Sequence, residues 1–327
     1  MRTVLRILLR TLMVVVALCV ALAALFFYLI YIPSSDAPQL SSTRTRGTIA
    51  IHGLTRTYLT YAPKDLPKGA PLVVVLHGSG ESGARIRIET GYGFDRLADT
   101  RGFAVAYPDA FDGYWDVCAI VGAVDASAHN VDDMGFLSAV IDKLATDIGI
   151  DPARAFAMGS SRGGSMALRI ALELPARFRA VAAVSGSLPT PENFKCKPVG
   201  PGASVMIMNG TADPIVPFDG GEVNLFGVFY RNGKVRSARE SAQYFADLNH
   251  ISGKPDTNVS PAVNGMSIER VLWRGDSKVE VELVAVHGAG HGMPQPYTSR
   301  PRILGPSSNE PNGPAVIWEF FDRQPRR

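Results

Sequence analysis

Ala155-Phe156-Ala157-Met158-Gly159-Ser160-Ser161-Arg162-Gly163-Gly164-Ser165 is the stretch whose reading decides the fold. A short apolar run passes into a turn of small residues, and Met166-Ala167-Leu168-Arg169-Ile170-Ala171-Leu172 then has the composition of a helix. Gly159-x-Ser161-x-Gly163 suits a serine carried on a sharp strand-to-helix turn. Glycines two places either side let neighbouring backbone pass close without a Cβ clash, and they tolerate the dihedrals of such a turn. The helix N-terminus behind Ser161 would offer N–H groups and a positive dipole end to a developing oxyanion. The pentapeptide alone is common. Its strand-turn-helix setting gives it weight.

Working outward, Pro71-Leu72-Val73-Val74-Val75-Leu76 is continuously apolar, as a strand buried on both faces should be, and it feeds His77-Gly78-Ser79-Gly80-Glu81-Ser82-Gly83. Upstream, residues 47–53 and 56–61 read as a hairpin. Downstream, helical spacing around residues 94–100 leads to a strand at 103–107. A helix after Asp132-Asp133 carries Leu137, Val140, Ile141, Leu144 and Ile148 on one stripe. Further strands are expected at 180–184, 204–208, 268–273 and 279–286, with helices at 237–249 and 315–321. Strands alternating with helices imply one α/β domain with a mostly parallel sheet and right-handed crossovers. Asp132 and Asp133 read better as a helix cap and first-turn charge than as a cation site, since no further carboxylates cluster with them.

The 327 residues, 46% of them hydrophobic, suffice for one such domain of about 280 residues after a distinct N-terminus. Net charge is +3 and several basic residues sit at the chain ends, so nucleic acid is not an expected partner. Residues 12–32 contain no charge over 21 positions, close to the ~20 needed to cross hydrocarbon as a helix. Arg2, Arg6 and Arg10 precede them, which predicts a cytoplasmic N-terminus and a translocated body. The alternative is a cleaved signal ending near Ala21-Leu22-Ala23 or Ser35-Asp36-Ala37, giving a secreted protein. The expected organisation is therefore an anchor or signal at 1–33, a Pro/Ser/Thr-rich tether at 34–46 and a catalytic domain at 47–327. Outside the apolar run only Cys118 and Cys196 remain, an even pair suited to a disulfide in an oxidising compartment; two unpaired thiols are the alternative.

In open α/β sheets the site lies beyond the carboxyl ends of the strands. Three expected strand ends supply a serine, an acid and a histidine in the chain order of α/β-hydrolases. Of six histidines, only His250, His287 and His291 follow Ser161. His250 closes a helix, and His291, flanked by Gly290 and Gly292, is favoured over His287 as the base. Asp213, directly after a buried strand, is favoured as the acid over Asp219 and Glu222. The oxyanion hole is expected from the backbone N–H groups of Arg162 and Ser79, with His77 fixing the loop. The Arg162 side chain would meet either a substrate carboxylate or a neighbouring acidic residue. No metal and no cofactor is implied.

HGSGESG, VDDMGFL, GSSRGG, GTADPIVPFDGGE and GAGHGMP, in this order, resemble the poly(3-hydroxybutyrate) depolymerase and feruloyl or acetylxylan esterase group of α/β-hydrolases over residues 47–322. The resemblance implies the same Ser161, Asp213 and His291 and an ester substrate, and it suggests that Tyr114 and Trp115 lie near the substrate cleft. Members often carry Asn, Gln or Ala where Arg162 stands, and often a Trp just beyond the base, where this chain has Gly292-Met293. The function expected is serine esterase action on feruloyl, acetyl-polysaccharide or hydroxyalkanoate-type esters. An acyltransferase on the same triad, or a non-catalytic binding module of the same fold, are the alternatives.

Overall fold

The computed structural model describes residues 2–32, 37–121, 131–225, 233–275 and 279–325. Helix α1 (Arg2–Ile30) runs unbroken for 29 residues with none buried, and among the described residues it is the one helix long and apolar enough to cross a membrane. It begins ten residues before the charge-free run and so takes in Arg2, Arg6 and Arg10. Part of the expected tether, residues 34–36, lies outside the described residues. The rest is already fastened at Ser41, whose N–H and hydroxyl both donate to the Asp99 carboxylate, at 2.9 and 2.5 Å.

From there the chain builds a sheet of ten strands. β1 (Thr45–Ile51) and β2 (Leu54–Tyr61) form the expected hairpin. The other eight strands are β3 (Leu72–Leu76), β4 (Ala104–Pro108), β5 (Ala155–Ser160), β6 (Ala180–Val184), β7 (Ser204–Gly210), β10 (Asp256–Val259), β11 (Ser267–Arg274) and β12 (Glu280–His287). Their spatial order is β1-β2-β4-β3-β5-β6-β7-β12-β11-β10. The six central strands from β4 to β12 are parallel, and two antiparallel strands close each edge. The short β8 (Gly221–Glu222) and β9 (Lys234–Val235) pair separately. The edge strand β10 went unread because its four residues are all exposed, so no apolar pattern marks it.

Alternation sorts the strand side chains to two faces. Leu72, Val74 and Leu76 pack with α4 (Asp133–Ile148), α5 (Arg162–Glu173) and α6 (Ala238–Leu248), through Phe136, Ile170 and Phe245. Val73 and Val75 face α2 (Gly83–Glu89), α3 (Gly93–Arg101) and α7 (Gly313–Asp322), through Ile86, Phe94 and Phe321. Each such side chain, fully buried, contributes roughly 1.5–3 kcal/mol relative to exposure. Asp132 caps α4 by accepting from Gly135 N–H at 2.7 Å. Asp133, next to it, is buried against Arg56 at 2.7 Å and Asp116 N–H at 2.8 Å, so its carboxylate is committed to protein donors.

Cys118 and Cys196 are bonded across 78 residues, tying the loop after β4 to the loop after β6. Closing a loop of that length removes unfolded-state entropy, typically about 2–4 kcal/mol of stability. Reduction, or the paired C118S/C196S change, is expected to lower the denaturant midpoint of the full chain accordingly. An unchanged midpoint would mean that the two loops hold each other without the bond.

Candidate active site

Ser161 sits between β5 and α5 with φ 56° and ψ −120°, a left-handed conformation that a serine adopts only when its surroundings impose it. The flanking glycines are there for close approach. A Cβ on Gly159 would stand 2.0 Å from Gly163 O, and one on Gly163 would stand 2.4 Å from Leu76 O. The unusual dihedrals thus fall on the serine and not on its glycines. Ser161 N–H donates to Val184 O at 2.8 Å, which ties the turn to the end of β6.

Two strands along, Asp213 follows β7. Its Oδ1 accepts from Ile215 N–H at 2.8 Å and Val216 N–H at 2.9 Å, while Oδ2 meets His291 Nδ1 at 2.8 Å. The carboxylate is fully buried and the imidazole nearly so. Held this way, Asp213 orients His291 with Nδ1–H toward the acid and leaves Nε2 for chemistry. His287, the rejected alternative, stands at the end of β12 against Glu269 at 3.2 Å.

The loop carrying His291 is clasped by groups from 9 to 107 residues away in sequence. His291 N–H donates to Leu304 O at 2.7 Å and Gly290 N–H to Pro306 O at 2.8 Å. Gly292 N–H donates to the buried Ser185 Oγ at 2.6 Å, and Arg300 Nη1 donates to His291 O at 3.3 Å. A Cβ at position 292 would fall inside the Arg300 guanidinium, so the glycine there makes the room this arginine occupies. Arg300 Nε and Nη2 are shielded from solvent with no hydrogen-bond partner among the described residues. Burial lowers the Arg300 pKa, against the opposing charges of Glu89, Glu81 and Asp213. Neither Ser185 nor Arg300 is legible from the sequence, because no local spacing connects them to the histidine.

His77 fixes its loop, as expected. Ala110 N–H donates to Nε2 at 2.9 Å, so Nδ1 carries the proton and donates to Gly78 O at 2.7 Å. The ring is fully buried and its pKa is lowered by that burial. Trp115 is fully buried too, its indole N–H donating to His77 O at 3.0 Å. It therefore stands behind the loop that begins at His77, and Tyr114 packs beside Gly80. The Arg162 side chain turns inward, donating from Nε to Trp115 O at 2.7 Å with its guanidinium 5.7 Å from the Tyr114 ring centroid. A carbonyl and a ring are thus among its partners.

Two spaces meet at Ser161. The larger, about 1060 Å³, is bounded by Ser161, His291, Ser79, Glu81 and Arg300, and also by Ile30 and Ile32 at the exit of α1. The smaller, about 50 Å³, lies beyond Ser79, Ser161 and Arg162 and is walled by Val117, Val216, Val223 and Val235. Ser79 Oγ is buried at their junction with no hydrogen-bond partner among the described residues. No group of three or more metal-ligating side chains occurs among the described residues.

Glu81 supports the oxyanion loop by accepting from Gly78 N–H at 2.8 Å. Burial, with Glu89 adding to it, pushes its carboxyl up to about 7. Such a group keeps its proton in the folded chain where the unfolded chain has already lost it. Its contribution to stability is therefore fully present below the ordinary carboxylate range and is lost as pH rises through about 7. Glu81→Gln keeps an acceptor for Gly78 N–H without the charge. Relative to the unsubstituted chain, it is expected to gain melting temperature between pH 5 and pH 8; a difference constant across that window would contradict the assignment.

Comparison with known proteins points to ester hydrolysis on this fold. A family model described as phospholipase/carboxylesterase matches residues 124–232. The chain is 32% identical over 294 residues to the Nocardia uniformis subsp. tsuyamanensis protein named "Putative esterase NocK", covering 86% of this chain and 83% of that one. It is 27% identical over 286 residues to feruloyl esterase C of Emericella nidulans, covering 85% and 87%. Among solved structures, an acetyl xylan esterase from Aspergillus awamori superposes with a TM-score of 0.58 at 17% identity, over 85% of this chain and 99% of that one, which speaks for the fold. The chain belongs to the feruloyl esterase-like family of α/β-hydrolases and is a carboxylic ester hydrolase.

Proposed function

We propose that the chain is a serine esterase working through Ser161, His291 and Asp213, with its catalytic domain held outside the cytoplasm by α1. The observation that carries this is the pairing of His291 Nδ1 with a buried Asp213, in a cleft that also exposes a strained Ser161. Ser161 Oγ attacks the ester carbonyl while His291 Nε2 takes its proton. The backbone N–H groups of Ser79 and Arg162 receive the oxyanion. His291 returns the proton to the departing alcohol, and water then hydrolyses the acyl-enzyme by the same route. Asp213 holds the tautomer and stabilises the imidazolium between these transfers. The names of the relatives support feruloyl and acetylated-xylan esters as the substrate class, and the resemblance adds hydroxyalkanoates. The apolar helix, the arginines before it and the disulfide together support an extracytoplasmic, membrane-tethered enzyme.

Ser161→Ala is expected to lower kcat on p-nitrophenyl acetate on the order of 10⁶-fold and to abolish labelling by a fluorophosphonate. A loss below about tenfold would remove Ser161 as nucleophile. Asp213→Asn leaves the geometry but favours the wrong tautomer, and is expected to cost on the order of 10⁴-fold in kcat. A steady-state assay at saturating substrate reads both.

A further inference from the structure

The two spaces at Ser161 differ in which catalytic groups they touch. His291 borders the large cleft and not the small pocket, Arg162 borders the small pocket and not the large cleft, and Ser79 borders both. In ester cleavage the imidazolium must hand its proton to the departing alkoxide, so the alcohol leaves on the histidine's side. The acyl group, bonded to Ser161 Oγ with its oxygen on the oxyanion donors, then extends the other way. Resting on the serine-esterase reading above, this orientation assigns the roles of both spaces.

The small pocket holds about 50 Å³, room for roughly three or four water-sized groups. That accommodates an acetyl group. A feruloyl or octanoyl chain would require the valine walls to move, and those walls are buried. The cleft on the alcohol side is some twenty times larger and is open. The exit of α1 is part of its lining, with Ile30 and Ile32 there joined by Ile88 and Leu304. Arg302 fastens that exit, donating from Nη1 to Tyr28 O at 3.0 Å and lying over the Tyr28 ring at 4.4 Å. The anchor's end is thus both a wall of the alcohol site and the point where the chain enters the apolar layer.

We infer that the enzyme removes short acyl groups, acetyl above all, from alcohols that carry an alkyl arm and lie at the membrane surface. The alkyl arm runs along Ile30 and Ile32 toward the bilayer while the acetyl group sits in the valine pocket. In each turnover the bond from acyl carbon to alcohol oxygen breaks, the alcohol leaves with the proton from His291, and water supplies the oxygen and hydrogens that release acetate from Ser161.

Full-length chain in phospholipid nanodiscs tests this with two substrate ladders. On p-nitrophenyl acetate, butyrate and octanoate, kcat/KM is expected to fall by at least tenfold from acetate to octanoate, with methyl ferulate poorer still. On ethyl, octyl and dodecyl acetates, acetate release is expected to rise with alcohol length. Ile32→Ser is expected to reduce the dodecyl-to-ethyl ratio on the order of tenfold, and Arg302→Ala, which frees the exit without touching the cleft wall, to reduce it in the same direction. Val235→Ala enlarges the acyl pocket and is expected to raise the butyrate-to-acetate ratio several-fold. Octanoate or ferulate handled as well as acetate, or an alcohol ladder that is flat in the unsubstituted chain, overturns the inference while leaving a working esterase. No turnover of any ester, with Ser161 refractory to fluorophosphonate, overturns the serine-esterase reading and this inference with it.

Discussion

Much of the structure exists to hold one residue in a conformation it would not choose. Ser161 at φ 56° costs on the order of 1–3 kcal/mol, and the strain persists only because the surroundings over-determine it. β5 lies between β3 and β6, so the turn cannot drift sideways. The backbone of Gly163 lies against the carbonyl of Leu76, and Gly159 lies against Gly163, so the turn cannot relax outward without leaving a void or inward without a collision. Ser161 N–H is already engaged by Val184 O. The rigidity of a six-stranded parallel core is thereby converted into the exposure of one hydroxyl.

The base side is built on a different plan. Ser161 is held by regular elements adjacent in sequence, but the His291 loop has no helix or strand to stiffen it. It relies on hydrogen bonds to an irregular segment at residues 304–306, on Ser185 at the end of β6, and on Arg300. Asp213 is intermediate: two backbone N–H groups from its own turn fix one oxygen and leave the other for the imidazole. A serine set by secondary structure and a histidine set by tertiary hydrogen bonds respond differently to perturbation, and the second is the softer of the two.

That division also explains what could be read in advance. The central strands announced themselves because strands covered on both faces are apolar without interruption, as in Leu72-Val73-Val74-Val75-Leu76, and the candidates Ser79, Ser161, Asp213 and His291 follow their ends in that order. The stripe on α4 was visible for the same reason, burial written at helical spacing. Helix α2 was missed because its seven residues follow a glycine-rich loop and bury only Gly83, Ile86 and Arg87. Trp115 was expected at the cleft and is instead packed behind it, since an aromatic residue in a loop gives no sign of which way it faces. Glu81, Ser185 and Arg300 carry no local signal at all. Glu81 and Arg300 act across irregular loops, three and nine residues from their partners, and Ser185 acts across 107 residues, so no periodic pattern marks any of them.

The clasp of Ser41 on Asp99 sets a length. Between Ile30, where α1 ends two residues past the Arg302 contact at Tyr28, and Ser41, held by Asp99, lie residues 31–40, a span of at most about 35 Å when fully drawn out. A domain of this size is about 50 Å across. Were α1 resident in a bilayer, the leash would be shorter than the body it holds, and a substrate would have to come to the membrane surface to be met. Encounters would then be those of lateral diffusion in a thin shell, where the surface density of substrate, in molecules per unit area, takes the place of bulk concentration.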